Sequence, residues 1–92
     1  MQSDKVVKVT LNGSGLPVPD QDPIAIKKDN QKVRWEASFD FDIRIDGYGD
    51  VQKTNGGGNW RVNTGTFADI KRYKYTIIAN GVENDPDIDI LP

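Results

Sequence analysis

Apolar and polar residues alternate with a period of two over much of this chain, the pattern of half-buried β-strands. In KVVKVTL, Lys5 to Leu11, Val7, Val9 and Leu11 share one parity and Val6, Lys8 and Thr10 the other. The clearest run sets Phe39, Phe41, Ile43 and Ile45 against Asp40, Asp42, Arg44 and Asp46. From Arg72 to Ala79, Tyr73, Tyr75, Ile77 and Ala79 form an inward set, with Arg72, Lys74, Thr76 and Ile78 outward; in Asp87 to Leu91 the inward pair is Ile88 and Ile90. Shorter runs place Ile24 with Ile26, and Val33 with Trp35 and Ala37. The polar turn Lys28-Asp29-Asn30-Gln31 between them predicts two strands joined as a hairpin.

The breaks in the pattern are as informative. Asn12-Gly13-Ser14-Gly15 is turn chemistry, and Pro17, Pro19 and Pro23 predict a loop, because proline has no N–H for a ladder. Asn80-Gly81 is the strongest hairpin signal in the chain. From Gly47 to Gly65 alternation dissolves into Gly, Asn, Asp and Thr, with Tyr48, Val51, Trp60 and Val62 as the sizeable apolar anchors; a long excursion is expected. No stretch of about ten residues keeps helical spacing without Gly or Pro, so helix is expected only as a short turn. The expectation is an all-β single domain over residues 1–92: a two-sheet β-sandwich of about six to eight strands, its sheets roughly 10 Å apart.

The order of these signals resembles the cupredoxin family, the blue-copper β-sandwiches. The residues that carry the likeness are the early V-x-V strand; Ile24-Ala25-Ile26-Lys27-Lys28, a polar turn and Val33-Arg34-Trp35; the Phe39 to Ile45 strand; Tyr73-Lys74-Tyr75; and Asp87-Ile88-Asp89-Ile90. Immunoglobulin-like sandwiches share many of these core positions. The resemblance implies a copper site built from His, Cys, His and usually Met, and this chain cannot supply it. It has no His and no Cys, its one Met is Met1, and the family's Tyr-x-Tyr-x-Cys pattern lands on Tyr73, Tyr75 and Ile77. A copper-free member of that fold is expected, with no cofactor.

Composition narrows function further. Without cysteine there are no disulfides or thiolate metal sites, and stability must come from packed apolar side chains. A net charge of −2 gives no long-range attraction for nucleic acid or an anionic membrane. No apolar run approaches the roughly 20 residues of a membrane-spanning helix, and Met1-Gln2-Ser3-Asp4-Lys5 lacks a signal peptide's apolar segment. The compartment is cytoplasmic as the sequence stands, or external if Met1 follows a removed signal. Lacking His and Cys, the chain would have only carboxylates for acid–base chemistry, and a binding domain is expected rather than an enzyme.

Two carboxylate groups invite a calcium reading. Asp85-Pro86-Asp87-Ile88-Asp89 opens like an EF-hand loop, but Ile90 stands where the loop needs glycine. Asp46 and Asp50, near Asp40 and Asp42, could assist a cation if the turn between them folds back. The plainer reading of both groups is a solvated, charge-balanced face. The stretch KTNGGGNWR, Lys53 to Arg61, holds three consecutive glycines but matches neither phosphate-binding glycine motif. Its tryptophan leaves two alternatives. Trp60 either plugs one end of the sandwich or, exposed beside Tyr48, Asn59 and Arg61, offers a flat face and donors for a protein or glycan partner. The expected assembly state is a monomer or weak oligomer. A structural module pairing through an edge strand, and a divalent-cation-dependent domain, are the other readings.

Overall fold

Ten strands form in the computed structural model, which describes residues 5–49 and 51–92. The first sheet runs in the order β2 (Pro17–Pro19), β1 (Lys5–Leu11), β4 (Val33–Ala37), β7 (Asn59–Asn63), β6 (Gln52–Gly56). The second runs β3 (Ile24–Lys27), β10 (Asp87–Leu91), β8 (Arg72–Ala79), β5 (Asp42–Ile45), with β9 (Val82–Asn84) also on β8. The all-β sandwich is thus present, with more strands than the six to eight expected. Most pairs are antiparallel, but β1 lies parallel to β4 in one sheet and β10 parallel to β3 in the other.

The period-two residues meet between the sheets. Trp35 on β4 and Tyr75 on β8 are both fully buried, their ring centroids 5.1 Å apart, and the Trp35 indole N–H donates to the Tyr75 hydroxyl at 3.3 Å. That bond satisfies a donor that burial would otherwise leave costly. Burial also pushes the Tyr75 hydroxyl pKa well above the ordinary value of 10.0. Ile24, Ile26, Phe41, Val62, Phe67 and Ile88 close the core around the pair.

Four local expectations change. Ile24–Lys27 and Val33–Ala37 are not a hairpin: β3 joins β10 and β4 joins β1 and β7, so residues 28–32 arch from one sheet to the other. Both strands alternate, which reports burial but not pairing. Pro17–Pro19, expected as loop, pairs at the sheet margin, where proline's missing N–H costs no ladder bond. Phe39 and Phe41 keep their inward parity but precede β5. Thr76 keeps its outward parity and is nevertheless 5% exposed, lying between Arg44 on β5 and Asp85, whose carboxylate accepts its hydroxyl at 2.8 Å.

The Asn80-Gly81 turn forms as its sequence predicts, with φ of 52° and 76°, the positive values a type I′ hairpin requires. One antiparallel register then runs through both β9 and β10 against β8, since Ile77 faces Asn84 and Lys74 faces Asp87. Pro86 interrupts it, lacking a ladder N–H but accepting from Tyr75 at 3.0 Å.

Candidate functional site

The excursion expected from Gly47 to Gly65 is largely a second hairpin, and its strands set the candidate surface. Gly57 and Gly58 turn at φ 61° and 83°, and β6 and β7 pair on either side from Gly56↔Asn59 to Gln52↔Asn63. A two-residue I′ turn makes the flanking pair hydrogen-bonded, so Gly56, Thr54 and Gln52 bond to β7 while Asn55 and Lys53 direct their peptide groups away from it. No residue of β6 is buried, and β6 is the margin of its sheet.

Trp60 lies on the inward parity of β7, two residues from the buried Val62. It is half-buried against the core, and the Lys53 ammonium sits 5.1 Å from the centroid of its ring. Lys53 belongs to the same inner face and bridges the sheets, pairing with Asp40 at 2.5 Å and Asp42 at 2.9 Å. Those carboxylates, Asp40 first, raise the Lys53 pKa. Tyr48 is elsewhere. Its ring packs 4.3 Å from Phe67, and its hydroxyl accepts the Gly65 N–H at 2.9 Å and donates to the Thr66 carbonyl at 3.3 Å. A Cβ at Gly65 would lie 3.2 Å from that hydroxyl, so glycine there permits the close approach. Tyr48 thus holds the chain beyond β7, roughly 15 Å of strand away from Trp60.

Arg61 has the opposite parity to Trp60 and lies on the outer face of the first sheet. The register aligns Lys8, Glu36, Arg61 and Thr54 in one row across β1, β4, β7 and β6. Glu36 is held between Lys8, with which it forms a short ion pair, and Arg61 at 3.6 Å. The Lys8 hydrogen bond is the main cause of its lowered pKa. Beside this row Asn59 joins Lys8, Val9, Thr10, Glu36 and Ser38 around an open depression of about 360 Å³. On the other side of the row, Arg34 donates from Nε to the Asn63 side chain at 2.9 Å.

The four expected ligand residues therefore divide. Asn59 and Arg61 share the outer face, Trp60 faces inward and Tyr48 staples a loop. Lys8, Glu36 and Thr54 join the first two, and sequence reasoning missed them. Each has the outward parity of its strand, but only pairing between strands distant in sequence brings them together.

The cation candidates also separate. Asp87 pairs with Lys74 at 3.0 Å and Arg72 at 3.7 Å, Asp85 accepts from Thr76, and the backbone N–H of Asp46 donates to the Lys74 carbonyl at 3.0 Å. Asp50 lies outside the described residues. No group of three or more carboxylates suited to a shared ion occurs among the described residues. The outer face of the second sheet is instead closed by ion pairs, Arg72 donating to both Asp89 oxygens at 2.6 and 2.9 Å. That bond is the main cause of the lowered Asp89 pKa.

No model of a known protein family matches this chain, and no curated protein matches it.

Proposed function

We propose that this protein is a copper-free, cupredoxin-like binding domain that engages a protein partner through the β6–β7 hairpin and the adjoining outer face of the first sheet. The carrying observation is that this hairpin forms the sheet margin with all of β6 exposed, beside an open depression lined by Asn59, Glu36 and Lys8. The cupredoxin-like reading is favoured over the immunoglobulin-like one by two parallel strand pairs, one in each sheet, since the immunoglobulin sandwich is built from antiparallel sheets. Protein is favoured over glycan because every aromatic residue among the described residues is buried or half-buried, and the ring of Trp60 already has Lys53 over it. A non-catalytic role is supported by the absence of His and Cys and by the engagement of Glu36, Asp40, Asp42, Asp87 and Asp89 in ion pairs.

The test is a photo-crosslinking side chain placed at Asn59 or, as control, at Lys27 on the second sheet, in cells of the source organism. A discrete adduct at position 59 that disappears with Arg61→Glu and does not form at position 27 is expected. Equal labelling at both positions, or none at 59, contradicts the reading. A second reading, a structural module pairing through an edge strand, is favoured by the outward peptide groups of Lys53 and Asn55.

A further inference from the structure

Sheet margins are templates for another strand unless something obstructs them. The four margins among the described residues differ in their obstruction. On β2, Pro17 and Pro19 each lack an N–H. On β5, Asp42 and Arg44 each have an ion-pair partner but keep side chains 62% and 60% exposed along the edge, and β3 ends on exposed Lys27. On β6 the sequence is QKTNG, without proline, and its one charged side chain, Lys53, is turned inward onto Asp40 and Asp42. Its charge is therefore neutralised within the domain instead of repelling a neighbour.

The hydrogen-bond phase of β6 makes it complementary to itself. Its outward peptide groups belong to Lys53 and Asn55, with Thr54 midway between them. When a second β6 approaches antiparallel with Thr54 opposite Thr54, each Lys53 falls opposite an Asn55. Those two pairs have their N–H and C=O groups facing one another, and they close four backbone hydrogen bonds. Thr54 becomes the non-hydrogen-bonded pair on the two-fold axis, where side chains come closest and threonine pairs are favourable. A shift of one residue brings peptide groups that already bond to β7 opposite outward ones, so the phase selects this register over its nearest neighbours.

We propose that the partner of this margin is a second copy of the same chain, paired β6 to β6 about Thr54, so that two five-stranded sheets become one continuous sheet across a two-fold axis. This rests on the edge-pairing reading above and names its occupant and register. A contact of one short strand per copy falls well below the roughly 1,200 Å² of a stable interface, so the dimer is weak and forms with rising concentration or when the domain is tethered in numbers.

The absence of cysteine from the chain allows an unambiguous test. Cα atoms of a non-hydrogen-bonded antiparallel pair lie about 4.5 Å apart, within disulfide range. Thr54→Cys is expected to oxidise to a covalent dimer at least about tenfold faster than Thr10→Cys, an exposed control on β1, because the pairing holds the two sulfurs together. Adding Asn55→Pro removes an outward N–H and no internal one, and is expected to return the rate to that of the control while the far-ultraviolet circular dichroism is retained. Amide exchange of the unmodified protein gives a readout independent of any substitution. The Lys53 and Asn55 amides exchange freely in dilute solution and become protected as concentration rises. Equal rates for the two cysteine variants, or persistence of fast coupling with Asn55→Pro, overturn the second copy as occupant. Protection of both amides in dilute protein overturns the edge-pairing reading as well.

Discussion

Trp35 and Tyr75 link the two sheets, each satisfying the other's buried polar atom. Tyr75→Phe leaves the indole N–H of Trp35 without its acceptor and is expected to cost about 1–3 kcal/mol, measured as a lower urea midpoint with unchanged slope. The same hydroxyl sets an alkaline limit. Its pKa is raised in the folded state, so the unfolded chain releases the proton first, and stability complete below pH 10 falls as pH rises beyond it. In Tyr75→Phe that alkaline decline is shallower. Asp89 and Glu36 act in the opposite direction. Their pKa values are lowered by Arg72 and Lys8, so their contribution is present above their ordinary values of 3.8 and 4.5 and is lost as pH falls through and below them. Urea midpoints between pH 2 and 6 are expected to fall less steeply for Arg72→Met than for the unmodified protein. Tyr48→Phe, which breaks two hydrogen bonds to residues 65 and 66, is expected to cost about 1 kcal/mol and to raise amide exchange in that segment.

Among the elements, the hairpin turns carry the sharpest expectation. Gly81→Ala meets no neighbouring atom but must hold a φ of 76°, so a loss of about 1–2 kcal/mol in thermal or urea unfolding would come from backbone strain alone. This turn was legible in the sequence because Asn-Gly states its own geometry. So were β1, β4, β8 and β10, where one face is buried and alternation marks it. The hairpin of β6 and β7 was not. β6 has no buried face to leave a period, and Gly56-Gly57-Gly58 hides which two glycines form the turn. The supposed hairpin of β3 and β4 failed for a different reason: a short polar turn suits an arch between sheets as well as a hairpin within one. For the candidate surface, Asn59 and Arg61 were visible as polar residues beside a tryptophan. Lys8 and Glu36 were not, since they reach them only through the β1–β4–β7 register.

For the whole molecule, the two outer faces have different characters. The face of the second sheet is occupied by ion pairs among Arg72, Lys74, Asp87 and Asp89. The first sheet ends in a polar margin whose peptide groups point away from β7 on alternate residues. Binding by this margin, whether to a foreign protein or to a second copy, requires β6 to be a true strand rather than a slack glycine-rich loop. Residue-resolved amide exchange in dilute solution decides this most directly. Slow exchange at Gln52, Thr54 and Gly56 with fast exchange at Lys53 and Asn55 is the predicted alternation, and uniformly fast exchange from 52 to 63 would contradict it.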